Sequence, residues 1–87
     1  MPFNYLGDLH KIEVVGELNK RGFHVKDVHE LNLILERMGL QKRNGRKWLT
    51  TKEGVRYTIY NCQIENADAW HPFVVDDIIS FLTNNSF

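Results

Sequence analysis

The chain contains a single cysteine, Cys62, so an internal disulfide is impossible and a small secreted scaffold held by bridges is excluded. No apolar run approaches the roughly 20 residues that a membrane span requires. The opening Met1-Pro2-Phe3-Asn4-Tyr5 lacks a basic stretch followed by an apolar one. No signal peptide is therefore expected, and a reducing cytoplasm is the expected setting. Gly/Ser linkers, low-complexity tracts and internal repeats are all missing, which points to one domain over residues 1–87.

The ingredients of catalysis are equally sparse. The four histidines, His10, His24, His29 and His71, form neither an H-x-x-x-H nor an E-x-x-H pair. With only one cysteine beside them, no zinc-type ligand spacing arises, and no metal or other cofactor is expected. His71 is expected to be a polar residue at a helix entrance, and His10 a surface helix residue. Cys62 falls in an apolar stretch that reads as a strand, where a buried, inert thiol is expected. Asp76 and Asp77 are adjacent, so on a helix they diverge by about 100° and cannot converge on one substrate. There is no Gly-rich phosphate loop and no G-x-S-x-G. The expectation is a binding protein, not an enzyme, with no small-molecule substrate.

What the chain does have suits a compact domain. Of its 87 residues 43% are hydrophobic and 25% charged, including two Trp, three Tyr and five Phe to fill a core. A domain of this size buries only about 60% of the surface its unfolded chain exposes. Net charge is zero but unevenly spread. All eleven Lys and Arg lie between Lys11 and Arg56, and the first 56 residues, with seven acids, carry a net +4, whereas the last 31 residues carry only Glu65, Asp68, Asp76 and Asp77. Such a division provides a basic and an acidic face if both parts fold together, although small proteins also separate charge by chance.

Apolar spacing predicts a first helix over residues 7–21, with Leu6, Leu9, Ile12 or Glu13, Val15 and Leu18 as its stripe and Gly22 just past its end. A second helix over 27–38 has firmer punctuation. Asp27 and Glu30 match a capping box, Val28, Leu31, Leu35 and Met38 make the apolar stripe, and Gly39 follows as a stop signal. The short link between them fits a helix-turn-helix or a plain helical hairpin. Residues 40–49 then predict a β-hairpin turning at Asn44-Gly45 in a type I′ turn, with Leu40 and Trp48 as anchors. Thr50 and Glu53 suggest another capping box and a short helix to about Tyr57. The alternating residues 57–64 read as a strand, Asn66 to Ala69 as a turn, and a last helix should begin near Pro72. The expected fold class is α+β and winged-helix-like, with helices packed on a small antiparallel sheet or hairpin.

Within that frame the candidate site is cationic. Lys42, Arg43, Arg46 and Lys47 crowd one hairpin tip, where each contact to a phosphate would release counterions. Opposite the apolar stripe of the second helix lie His29, Asn32, Glu36 and Arg37. Asn32 is the residue type that pairs bidentately with adenine, His29 sits near the end of the helix that reaches base edges, and Lys26 and Arg37 are placed as phosphate contacts. Glu30 and Glu36 would repel phosphate, and a charged tip can simply be solvated. Double-stranded DNA is thus one expected partner. The other reading is a protein-interaction module, a homodimer or an inhibitor of a host or phage regulator, suggested by zero net charge and the late apolar residues Phe73, Val74, Ile79 and Phe81.

Several short motifs fall in family order. The run Glu30-Leu31-Asn32-Leu33-Ile34-Leu35-Glu36-Arg37-Met38-Gly39-Leu40 is followed by Asn44-Gly45-Arg46-Lys47-Trp48, by Leu49-Thr50-Thr51-Lys52-Glu53-Gly54, and then by Tyr57, Trp70, Pro72, Val75 and Ile79. Over residues 28–82 this resembles the C-terminal domain of phage antirepressor proteins of the KilA-C type. The resemblance implies a winged-helix-like regulatory domain of a phage or prophage, acting in transcription regulation. The N-terminal Bro- or Ant-type domain of that family is not expected here, and a stand-alone copy could bind DNA or contact a regulator. Fold membership does not choose between these, because function resides in the exposed residues.

Overall fold

The computed structural model describes residues 8–84. Among them the element order is α1 (Lys11–Lys20), α2 (Val28–Arg37), β1 (Gln41–Asn44), β2 (Lys47–Thr50), α3 (Lys52–Val55) and α4 (Phe73–Asn84). The class is α+β: helices packed against one two-stranded antiparallel sheet.

α1 begins four residues later than the apolar spacing predicts. Leu9 is not helical; it pairs as an extended residue with Trp70, its N–H donating to the Trp70 carbonyl at 2.7 Å and its carbonyl accepting at 2.9 Å. Leu6 and Gly7 lie outside the described residues. The helix start is capped from far along the chain, since Asp68 accepts the Lys11 N–H at 3.0 Å and the His10 ring nitrogen lies 3.1 Å from its other oxygen. Glu13 accepts the His10 N–H at 2.8 Å. The buried stripe is Lys11, Val14, Val15 and Leu18; Leu9, Val15 and Leu18 are buried as predicted, whereas Ile12 is 63% exposed and Glu13 faces solvent, and Lys11 and Val14 are buried instead.

α1 and α2 end alike. Gly22 and Gly39 adopt φ of +94° and +81°, and the residue after each donates back to the third-last helical carbonyl (Phe23 to Leu18, Leu40 to Leu35). This is the Schellman closure that a left-handed glycine permits. At the other end of α2, Asp27 accepts the Glu30 N–H at 3.0 Å as predicted. Glu30 reaches the Lys26 N–H instead of that of Asp27, so the box is offset by one residue.

α3 is shorter than predicted and capped by the neighbouring threonine. Thr51, not Thr50, accepts the Gly54 N–H, because Thr50 is the last residue of β2, buried opposite Gln41, with its hydroxyl donating to the Ile64 carbonyl. A side chain at Gly54 would collide with the Leu40 carbonyl. Glycine there lets α3 lie against the root of the hairpin.

The strand expected over residues 57–64 does not form. Tyr57 and Thr58 donate to Gly54 and Val55, continuing the α3 turn, and only Thr58 makes a single bridge, to Trp70. Trp70 is already paired with Leu9, and Ile59 turns outward, so the alternating pattern finds no neighbour long enough to make a ladder. Cys62 is consequently exposed, contrary to the buried thiol expected. Residues 64–66 do line β2: Thr50 donates to Ile64, and Leu49 bridges Glu65.

α4 follows Pro72 and buries Val74, Val75 and Ile78; Phe73 stays exposed, and Ile79 and Phe81 are partly covered. The core joins these to Leu31 and Leu35 of α2, Val14 and Leu18 of α1, Leu40 and Trp70. Among the described residues no helix is long and apolar enough to cross a membrane.

Candidate nucleic-acid interface

The hairpin pairs Gln41 with Thr50, Lys42 with Leu49, Arg43 with Trp48 and Asn44 with Lys47. Its two-residue loop is therefore Gly45-Arg46. Gly45 takes φ +67°, while Asn44 and Arg46 keep negative φ. The turn predicted at Asn44-Gly45 is displaced by one residue. A single glycine at the first central position suits the type II′ pattern, not the type I′ expected.

This register distributes the four cations over both faces of the ribbon. Directly opposed residues share a face, so Arg43 lies with Trp48 on the side bearing buried Gln41 and Thr50. Its guanidinium sits 4.8 Å from the centre of the Trp48 ring, a cation–π contact that fixes the charge at the edge of the core. On the other face Lys47 approaches Glu65 at 3.5 Å, and Asn44 donates to the same carboxylate at 3.1 Å. Lys42 and Arg46 are exposed and pair with no acid among the described residues. Of the four cations at the tip, only Lys47 is ion-paired among the described residues.

The root of the hairpin is tied to α2 by amide chemistry. Gln41 donates to the side-chain oxygen of Asn32 at 3.0 Å and to its backbone carbonyl at 3.3 Å. Lys11 of α1 donates to the same Asn32 oxygen at 2.6 Å and to the Gln41 side-chain oxygen at 3.2 Å. Lys11 is almost fully buried, 5.8 Å from the Trp70 ring centre, and burial lowers its pKa to about 8 although Asp68 pulls the other way. Two donors occupy Asn32 Oδ1, the acceptor that bidentate pairing with adenine needs. The expectation that Asn32 reads bases is therefore corrected: it is a clamp between α1, α2 and β1.

The remaining sequence-derived residues separate. His29 is exposed near the start of α2, and Lys26 is exposed just before its cap. Arg37 lies on a different side of α2 from Asn32, its guanidinium 5.7 Å over the Phe81 ring. The structure brings Lys42, Arg43, Arg46 and Lys47 together on one ribbon; His29 stands one turn before Asn32 on α2, whereas Arg37 does not join them. Lys11, Gln41 and Asp68 were not anticipated. Lys11 was legible in principle, since it stands three and four residues before Val14 and Val15 on the helix stripe.

A second polar cluster offers little chemistry. His71 contacts Asp8 at 2.9 Å and stacks on Phe73, and Phe73 tilts against Tyr57, whose phenol is held above its ordinary pKa mainly by its hydrogen bond to Asp77. This orients an imidazole without supplying a nucleophile. Among the described residues no group of three or more His, Cys, Asp or Glu is arranged to hold a metal ion. Comparison with protein-family models, with curated proteins and with solved structures returned no match.

Proposed function

We propose that this protein acts by binding, and that its hairpin engages the phosphate backbone of double-stranded DNA. The observation that carries the reading is the exposed concentration of Lys42, Arg43, Arg46 and Lys47 on a narrow two-stranded ribbon, where only Lys47 is ion-paired among the described residues. A ribbon of this kind follows a phosphate track, and its charge makes affinity fall with salt. With Asn32 engaged internally, the contact is one of position and charge more than of base identity. Two helices followed by a basic hairpin also support a winged-helix-like reading, in keeping with a small cytoplasmic regulator of phage or prophage type.

The test is fluorescence anisotropy of a labelled mixed-sequence duplex over a series of salt concentrations. Binding should weaken steeply as salt rises. Lys42→Ala with Arg46→Ala, both exposed and outside the core, should reduce the slope of log K against log salt by about two. No binding at the lowest salt, or a slope unaltered in the double variant, would overturn the proposal.

A further inference from the structure

A groove of about 570 Å³ opens beside α2, floored by Phe23 and Val25 of the α1–α2 connection, Leu33 and Ile34, and Leu82 of α4. Leu33 is 40% exposed on its lip. Glu30 and Arg37 also line it. Glu30, Leu33, Ile34 and Arg37 stand at i, i+3, i+4 and i+7, so they form one stripe with an acid at its start, a base at its end and two aliphatic residues at its centre.

We propose that this groove receives a second copy of the same chain, with the two α2 helices packed antiparallel about a two-fold axis between Leu33 and Ile34. The stripe is self-complementary in that orientation alone. A two-fold axis there sets Glu30 against Arg37 of the second copy, and Arg37 against its Glu30, while each Leu33 enters the groove of the other copy. Parallel packing would oppose Glu30 to Glu30 and Arg37 to Arg37. Both side chains are already restrained within one copy: Arg37 lies over the Phe81 ring, and Glu30 accepts the Lys26 N–H at 3.3 Å. Side chains already restrained lose less freedom on association. A nucleic acid does not suit this face, because Glu30 and an apolar floor occupy it. The dimer makes no demand on the hairpin or its ligand.

Sedimentation velocity of the full chain without nucleic acid tests it, from about 5 µM to about 500 µM, a range that resolves dissociation constants of a small interface. A monomer–dimer equilibrium is expected within that range. Leu33→Asp should raise the dissociation constant by about tenfold or more. Glu30→Arg alone and Arg37→Glu alone should each weaken the dimer by opposing like charges, and the two together should restore it. Circular dichroism of each variant distinguishes lost association from lost fold; a variant that unfolds is replaced by Leu33→Ser, for which the same weakening is expected. A chain that stays monomeric at the highest concentration overturns the proposal. So does a dimer indifferent to Leu33 and to the charge swaps.

Discussion

Lys11 shows how much one side chain can organise. A lysine ammonium is seldom buried unless paired, and here two amide oxygens and a tryptophan face stand in for water. The residual cost appears as the lowered pKa of about 8, against an ordinary 10.5. Between those values the unfolded chain keeps its proton while the folded chain releases it. Stability therefore rises as pH climbs through that window, because the unfolded state binds more protons there. Urea unfolding at about pH 7.5 and about pH 10 should show the wild type gaining about 2 kcal/mol relative to Lys11→Met. An equal difference at both pH values would mean that Lys11 is not a buried cation. His10 behaves in the opposite sense. Its hydrogen bond to Asp68 raises its pKa, so whatever this pair contributes is present below the ordinary 6.5 and fades as pH rises through the folded value. An NMR titration should place its midpoint above 6.5, and Asp68→Asn should return it toward that value.

At the level of elements, glycines distinguish close contact from open space. Gly54→Ala forces a methyl group into the Leu40 carbonyl, whose oxygen also accepts the Thr51 N–H, so α3 must move off the hairpin. A loss of about 2–3 kcal/mol is expected in chemical denaturation. Gly16→Ala, on the exposed side of α1 with nothing near its Cβ, should instead stabilise by about 0.5–1 kcal/mol. Reversal of the two signs would refute the packing described for α3. The same elements show what could be read in advance. Asp27, the α2 stripe and Gly39 were legible because a cap, a 3–4 spacing and a stop signal are local. The cationic tip was legible because four charges lie within six positions. The choice of Thr51 over Thr50 was not, since adjacent threonines offer the same hydroxyl and only pairing of Thr50 with Gln41 decides between them. Nor was the fate of residues 57–64, whose alternation is that of a strand but whose neighbours were already committed. Asn32 was misplaced for a related reason: its surroundings are set by Lys11 and Gln41, which come from other elements.

For the molecule as a whole, Trp70 is the joint. Its backbone pairs with Leu9 before α1 and bridges Thr58 after α3, and its buried ring donates through Nε1 to the Ala67 carbonyl at 2.9 Å. Trp70→Phe removes that donor and leaves unfilled volume, so a loss of about 2–4 kcal/mol is expected. Total stability for a domain of this size is on the order of 5–10 kcal/mol, and thermal melting should drop accordingly. A melting temperature within a few degrees of wild type would show that the ring is not what unites these segments.

The long reach from Leu9 and Lys11 to Trp70 and Asp68 also has a bearing on biosynthesis. While the ribosome is still making the middle of the chain, the Leu9 and Lys11 amides and the Leu9 carbonyl at the start of α1 lack the partners they have in the folded protein. Closure of its amino end must await the emergence of residues 68–70, whereas α2 and the hairpin can assemble from near neighbours. A nascent chain stalled just short of Asp68 should therefore protect α2 amides from hydrogen exchange well before those of α1.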